Sequence, residues 1–146
     1  MKRRVLYMCH PVGGDVENNI KRALRWLAWL RRSYPGTTFV APWIAGIMSG
    51  EDDADPAQRE AGLVDCEATV QLLDGAVLVG GRVSTGMQRE RASAVTVFDL
   101  TALGDEPPGD THWFTPDAHR LSILSSIPVL PAGEAVESGP ADTRDL

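Results

Sequence analysis

The sequence predicts an α/β fold in which a parallel sheet is covered by helices on both faces. Short, continuously apolar runs of strand length alternate with segments of helical period, in the order βαβαβαβ. The runs do not alternate between apolar and polar residues, as a sheet with one wet face would require. Helix-opening residues follow the first three strands, at Asp15, Asp55-Pro56 and Ser84. The chain has 146 residues, 43% of them hydrophobic, which suits one domain with a substantial core.

The first strand is Val5–Cys9, followed by the loop His10-Pro11-Val12-Gly13-Gly14-Asp15. Asp15 caps a helix that runs to about Arg32. Glu17 in its first turn and Arg31 and Arg32 in its last complement the helix dipole, and Pro35-Gly36 stops it. Its apolar stripe is Ile20, Leu24, Leu27 and Leu30. The β-branched run from Thr37 to Ala41 is the second strand, ended by Pro42-Trp43. A short helical turn is expected from Ile44 to Ser49, then a mobile acidic loop from Gly50 to Asp55. Asp55 and Pro56 open the next helix as N-cap and first residue. The stripe expected to face the core is Ala57, Ala61, Val64, Ala68 and Leu72, with Gly62 as a weak point. Gly75–Val79 is the third strand, Ser84 to Ala94 a helix, and Val95–Leu100 the fourth strand. A last helix is expected from Thr115-Pro116-Asp117 to about Ser126. The polar, proline-bearing stretch 131–146 reads as a disordered tail, which leaves a single domain over 1–130.

Charge and cysteine content exclude several functions. A net charge of −6 argues against a nucleic-acid polymer as partner. The apolar run before His10 is too brief for a membrane span or a signal peptide. Cys9 and Cys66, with no secretion signal, point to a reduced, cytoplasmic protein, and no cluster of histidines or cysteines has metal-ligand spacing. No metal or other cofactor is expected. Trp26 and Trp29 put apolar surface on more than one face of the first helix, which suits a homodimer or higher homo-oligomer.

In open α/β sheets ligands bind at the carboxyl ends of the strands. Three loops leave such ends here: one with His10, Gly13 and Gly14, one with Trp43, and one with Gly80, Gly81, Arg82, Ser84, Gly86 and Met87. Ser84 and the N–H groups of Thr85, Gly86 and Met87 would form an anion site at a helix start. Glu90 lies on the same face as Gly86, Met87 and Ala94, where a carboxylate is rare unless paired or put to use. A phosphate at the helix start and a carboxylate roughly 6–9 Å along it would span a ribose. Plainer readings stand beside this one. Ser84 can be an N-cap only, the glycines a tight turn only, and Tyr7 a core residue. His10 can be a loop residue without a role. Glu90 can pair with Arg82, Arg89 or Arg91, or face solvent.

A first strand ending in a small loop, a long helix, a strand ending Pro-Trp, a capped helix ending in Asp74, and a buried strand followed by Ser84-x-Gly86-x-x-x-Glu90 together resemble the nucleoside 2-deoxyribosyltransferase-like superfamily. The nearest resemblance is to the small phage and bacterial proteins grouped as DUF4406, over roughly Arg4 to Leu100. The resemblance implies a flavodoxin-like or Rossmann-like three-layer sandwich that cleaves N-glycosidic bonds of deoxynucleosides or nucleoside monophosphates. It implies Glu90 as the nucleophile at C1′, Tyr7 as its neighbour, and Asp74 as the aspartate closing the preceding helix. Ser84 matches a serine that holds the 5′-phosphate in hydrolases of monophosphates. Asp65, one residue out of register, matches an aspartate near the base. A residue from a neighbouring subunit completes several such sites, and Ser122, Ser125 and Ser126 are candidates for it.

The expectation is cleavage or transfer at the N-glycosidic bond of a nucleoside 5′-monophosphate, with retention and with Glu90 as nucleophile. The alternative is a non-catalytic nucleotide-binding module, a sensor or sequestering protein. A third reading is a phosphoribohydrolase like the lysine-decarboxylase-like proteins, whose Gly-Gly-x-Gly-Thr-x-x-Glu motif is loosely echoed from Gly80 to Glu90 with a longer gap.

Overall fold

A four-stranded, all-parallel sheet in the order β2-β1-β3-β4 forms the centre of the chain, from β1 (Arg4–Cys9), β2 (Thr37–Val40), β3 (Ala76–Leu78) and β4 (Val97–Asp99). The structure is a computed structural model that describes Lys2–Gly109. The helix expected from Thr115 to Ser126, the tail 131–146, and Ser122, Ser125 and Ser126 lie outside the described residues.

β1 pairs with β2 in the register Leu6 to Phe39 and with β3 in the register Met8 to Val77. Parallel neighbours require crossovers, and right-handed ones decide which face each helix covers. The helix α1 (Val16–Ser33) joins β1 to β2 on one face. The helices α2 (Pro42–Met48) and α3 (Pro56–Leu72) join β2 to β3, and α4 (Thr85–Ser93) joins β3 to β4. α3 and α4 pack on one another, on the face opposite α1. The result is the three-layer α/β sandwich of flavodoxin-like type that the sequence predicts. No helix among the described residues is long and apolar enough to cross a membrane.

Local chemistry sets the helix limits. Asp15 accepts from the Asn18 N–H at the start of α1, and Asp55 accepts from the Ala57 N–H at the start of α3 with Pro56 as first residue. The core gathers Leu6, Tyr7, Met8 and Cys9 of β1, the strand residues Phe39 and Ala76 to Val79, and Trp26, Leu30, Val70 and Met87 from the helices.

Three expectations are corrected. α3 turns the other way: Val64 and Leu72 are 50% and 86% exposed and Ala57, Ala61 and Ala68 are exposed, while Val70 is buried and Cys66 and Leu73 pack on the core. Small side chains around most of the helix leave little periodic signal, so the larger Val70 and the contact with α4 decide its rotation. β4 is shorter than expected, and as an edge strand it leaves Phe98 37% exposed, with the Arg4 guanidinium over its ring. In the acidic loop 50–55, Gln58 Oε1 accepts from the Asp52 N–H, and Asp52 Oδ1 accepts from the Ala54 N–H. Trp26 is fully buried rather than presented to a partner, and its Nε1 donates to the Asp105 carbonyl over 2.8 Å. That contact, with the Arg25–Glu106 ion pair, holds the segment after β4 and its 3₁₀ turn Thr101–Leu103 against α1.

Candidate functional site

The chain runs from β1 outward to β2, then returns past β1 to β3, so the connections leaving β1 and β3 part to opposite faces of the sheet. Such a switch point leaves a crevice at the strands' carboxyl ends. A cavity of about 690 Å³ opens there, lined by the loops after β1 and β3, by α2 and α3, and by the first turns of α4. His10, Gly13, Gly14, Trp43, Asp65, Arg82, Ser84, Gly86, Met87 and Glu90 all line it.

Glu90 is buried at 6% exposure on the cavity wall. Strand alternation sends Tyr7 and Cys9 from β1 toward the α3–α4 layer, where Glu90 lies. The Tyr7 hydroxyl donates to Glu90 Oε1 over 2.9 Å. Burial pushes the Glu90 carboxyl above the usual glutamate range; the Cys9 thiol, the Tyr7 hydroxyl and the Cys66 thiol beside it pull it part of the way back. The same burial, with the Glu90 charge beside them, drives Tyr7 and Cys9 far up, so both stay protonated as donors. The ion-pair reading for Glu90 is not realised among the described residues. Arg89 instead clamps Glu60 and Glu67 of α3, and Arg82 lines the cavity mouth.

α4 starts where the sequence places it. Ser84 Oγ accepts from the Met87 N–H over 3.3 Å, and the Ser84 N–H donates to Met87 Sδ. Met87 N–H is therefore committed, whereas the Thr85 and Gly86 N–H groups have no partner among the described residues. Both residues line the cavity together with Ser84, whose hydroxyl proton remains free to donate. Gly80 and Gly81, at φ +95° and +79°, make the left-handed turn that aims this helix, and a Cβ on Gly80 would lie 2.7 Å from His10 Cδ2. Gly86 has a packing role as well, since a Cβ there would meet Leu63 of α3 at 3.1 Å.

His10 Nδ1 donates to the Pro11 carbonyl over 2.7 Å, which leaves Nε2 as an acceptor. Nε2 is buried without a partner among the described residues, and burial lowers the ring to about 4, so the imidazole is neutral. Trp43 is a wall: its ring is 9% exposed and its Nε1 donates to the Met8 carbonyl. Asp65 lines the cavity from α3.

Asp74 is the correction among the site residues. Its Oδ2 accepts from the Val5 N–H over 2.8 Å, at the amino ends of β1 and β3. The five residues from Val5 to His10 put roughly 16 Å of strand between it and the crevice. It fixes the strand start and takes no part in the site.

Other lining residues were not legible in the sequence. Cys66 comes from α3 beside Tyr7 and Glu90, and burial raises its thiol to about 11. Glu51 and Asp53 come from the acidic loop and Arg59 from α3. Asp53 Oδ2 and the Arg59 guanidinium reach over Gly13, so the α2–α3 side meets the β1 loop at the cavity mouth. Gly62 was a weak point for its helix in the sequence, and here Gly62 and Gly46 flank Glu51.

The sequence model of a family described as a domain of unknown function, DUF7768, matches residues 4–97. No curated protein and no solved structure matches the chain.

Proposed function

The chain belongs to the DUF7768 family, and for this member we propose cleavage or transfer at the N-glycosidic bond of a nucleoside 5′-monophosphate, in the manner of the nucleoside 2-deoxyribosyltransferase-like proteins. The observation that carries the reading is Glu90: a buried carboxylate on a cavity wall, held by Tyr7, about one and a half turns beyond an open helix N-terminus.

The 5′-phosphate lies against the Thr85 and Gly86 N–H groups and the Ser84 hydroxyl, with Arg82 adding positive charge. The sugar then spans the distance to Glu90. Glu90 attacks C1′ as a carboxylate while the C1′–N bond breaks and its electron pair leaves with the base. Water then splits the glycosyl-enzyme: its hydroxide joins C1′, its proton goes to the base, and Glu90 is released. In a transferase a second base takes the place of water. Tyr7 orients the nucleophile and, with the two thiols, keeps enough of it ionised. Because burial raises Glu90, the acid limb of the rate profile lies above the ordinary glutamate range, and activity falls as pH drops through it.

The same raised carboxyl favours a second reading, a nucleotide-binding sensor or sequestering module in which a protonated Glu90 only donates a hydrogen bond. The free thiols Cys9 and Cys66 suit a cytoplasmic protein under either reading. Incubation with nucleosides and their 5′-monophosphates, followed by chromatography of free base, tests the proposal. Base release from the monophosphates supports it. Calorimetric binding without release supports the second reading instead.

A further inference from the structure

Two helices carry an interior glycine, Gly46 in α2 and Gly62 in α3, and glycine is the residue that a helix interior tolerates worst after proline. Both glycines face one group. A Cβ on Gly46 would lie 2.7 Å from Glu51 Oε2, and a Cβ on Gly62 would overlap Glu51 Oε1. The two oxygens of a single carboxylate thus rest in a seat that exists because two side chains are missing. This carboxylate lines the cavity and has no hydrogen-bond or ion-pair partner among the described residues. Its charge is felt at Cys66, as is that of Glu90, so the two acidic groups face one space.

The placement of the substrate proposed above gives the seat a purpose. With phosphate at the α4 start and Glu90 at C1′, the departing base points away from Glu90, toward the wall of α2 and α3. Trp43, Ile47 and Leu63 give that wall apolar side chains suited to a planar ring. Glu51 is the acceptor seated in it. An ionised carboxylate accepts hydrogen bonds and donates none, so it favours an exocyclic amino group, alone or beside a ring N–H as in guanine, over the lone ring N–H of thymine or hypoxanthine, which a carbonyl flanks.

We propose that Glu51 is a specificity residue that reads the base by its exocyclic amino group, so that adenine, cytosine and guanine nucleotides are preferred over thymine and hypoxanthine nucleotides. The inference rests on the nucleotide reading of the site, and it concerns binding whether or not the bond is cleaved.

The experiment is calorimetric titration with the five 2′-deoxynucleoside 5′-monophosphates, alongside the assay of base release. The wild-type protein binds the three amino-bearing nucleotides roughly 10- to 100-fold more tightly than the other two. Glu51→Ala reduces that preference to about threefold or less. Gly62→Ala does the same by displacing the carboxylate from its seat, while leaving the melting temperature equal or higher because alanine is the better helix former. Equal affinity for all five in the wild type, or an unchanged preference in both variants, overturns the proposal. Selective binding without base release supports Glu51 and overturns the cleavage reading. Base release with no amino preference overturns Glu51 alone, and failure of every nucleotide to bind overturns both.

Discussion

The carboxylate of Glu90 is buried with no cation against it among the described residues, held by the Tyr7 hydroxyl. Burial outweighs this donor and leaves the folded protein holding the Glu90 proton more tightly than the unfolded chain does. Below the ordinary glutamate value of about 4.3 both states are protonated, and the stabilising difference is present in full. As pH rises through the native value that stability is lost. Glu90→Gln therefore melts at a higher temperature than the wild type at pH 7 to 8, and the gap closes as the pH approaches 4; thermal denaturation across that range measures it. Glu90 and Tyr7 were legible because each stands out within its own segment: a charge on an apolar face, a tyrosine in a buried strand. Cys66 and Arg59 were not, because their place at the site depends on how α3 rotates. Asp74 shows the opposite failure, a sound helix-end position at the wrong end of the strands.

Among the elements, α4 has the most local logic. Ser84 caps it, a glycine pair aims it, and its first N–H groups open into the crevice, all within one stretch of sequence. Ser84→Ala should cost about 1 kcal/mol of stability through the lost cap. It should also raise KM for a 5′-monophosphate roughly tenfold through the lost charge-assisted bond, with little change for the phosphate-free nucleoside. Chemical denaturation and paired kinetics separate the two effects, and equal losses on both substrates would remove the phosphate from this position. α3 offers no comparable signal. Its alanines read with Val64 and Leu72 as a stripe in one direction, while Val70 and the Arg89 clamp on Glu60 and Glu67 turn it in the other. Helix existence is written in caps and period, whereas helix rotation is settled by partners far away in sequence.

At the scale of the molecule, the sheet order β2-β1-β3-β4 creates the site by parting the loops after β1 and β3. The alternation of strands and helices predicted the parallel sheet, and the handedness of the crossovers fixed its layers. The return of the chain after β4 was not visible, since it depends on one carbonyl. Trp26 donates to Asp105, and a Cβ on Gly81 would lie against that same residue, so α1, the glycine turn and the segment 101–109 are tied at one point. Trp26→Phe should lower stability by about 1–3 kcal/mol, read as a drop in melting temperature of several degrees.

The central claim is that Glu90 is the nucleophile, and base release by Glu90→Ala tests it most directly. The account predicts that this variant still binds the 5′-monophosphate but releases base on the order of 10³-fold more slowly or worse. Release at the wild-type rate by a protein lacking this carboxylate would contradict it.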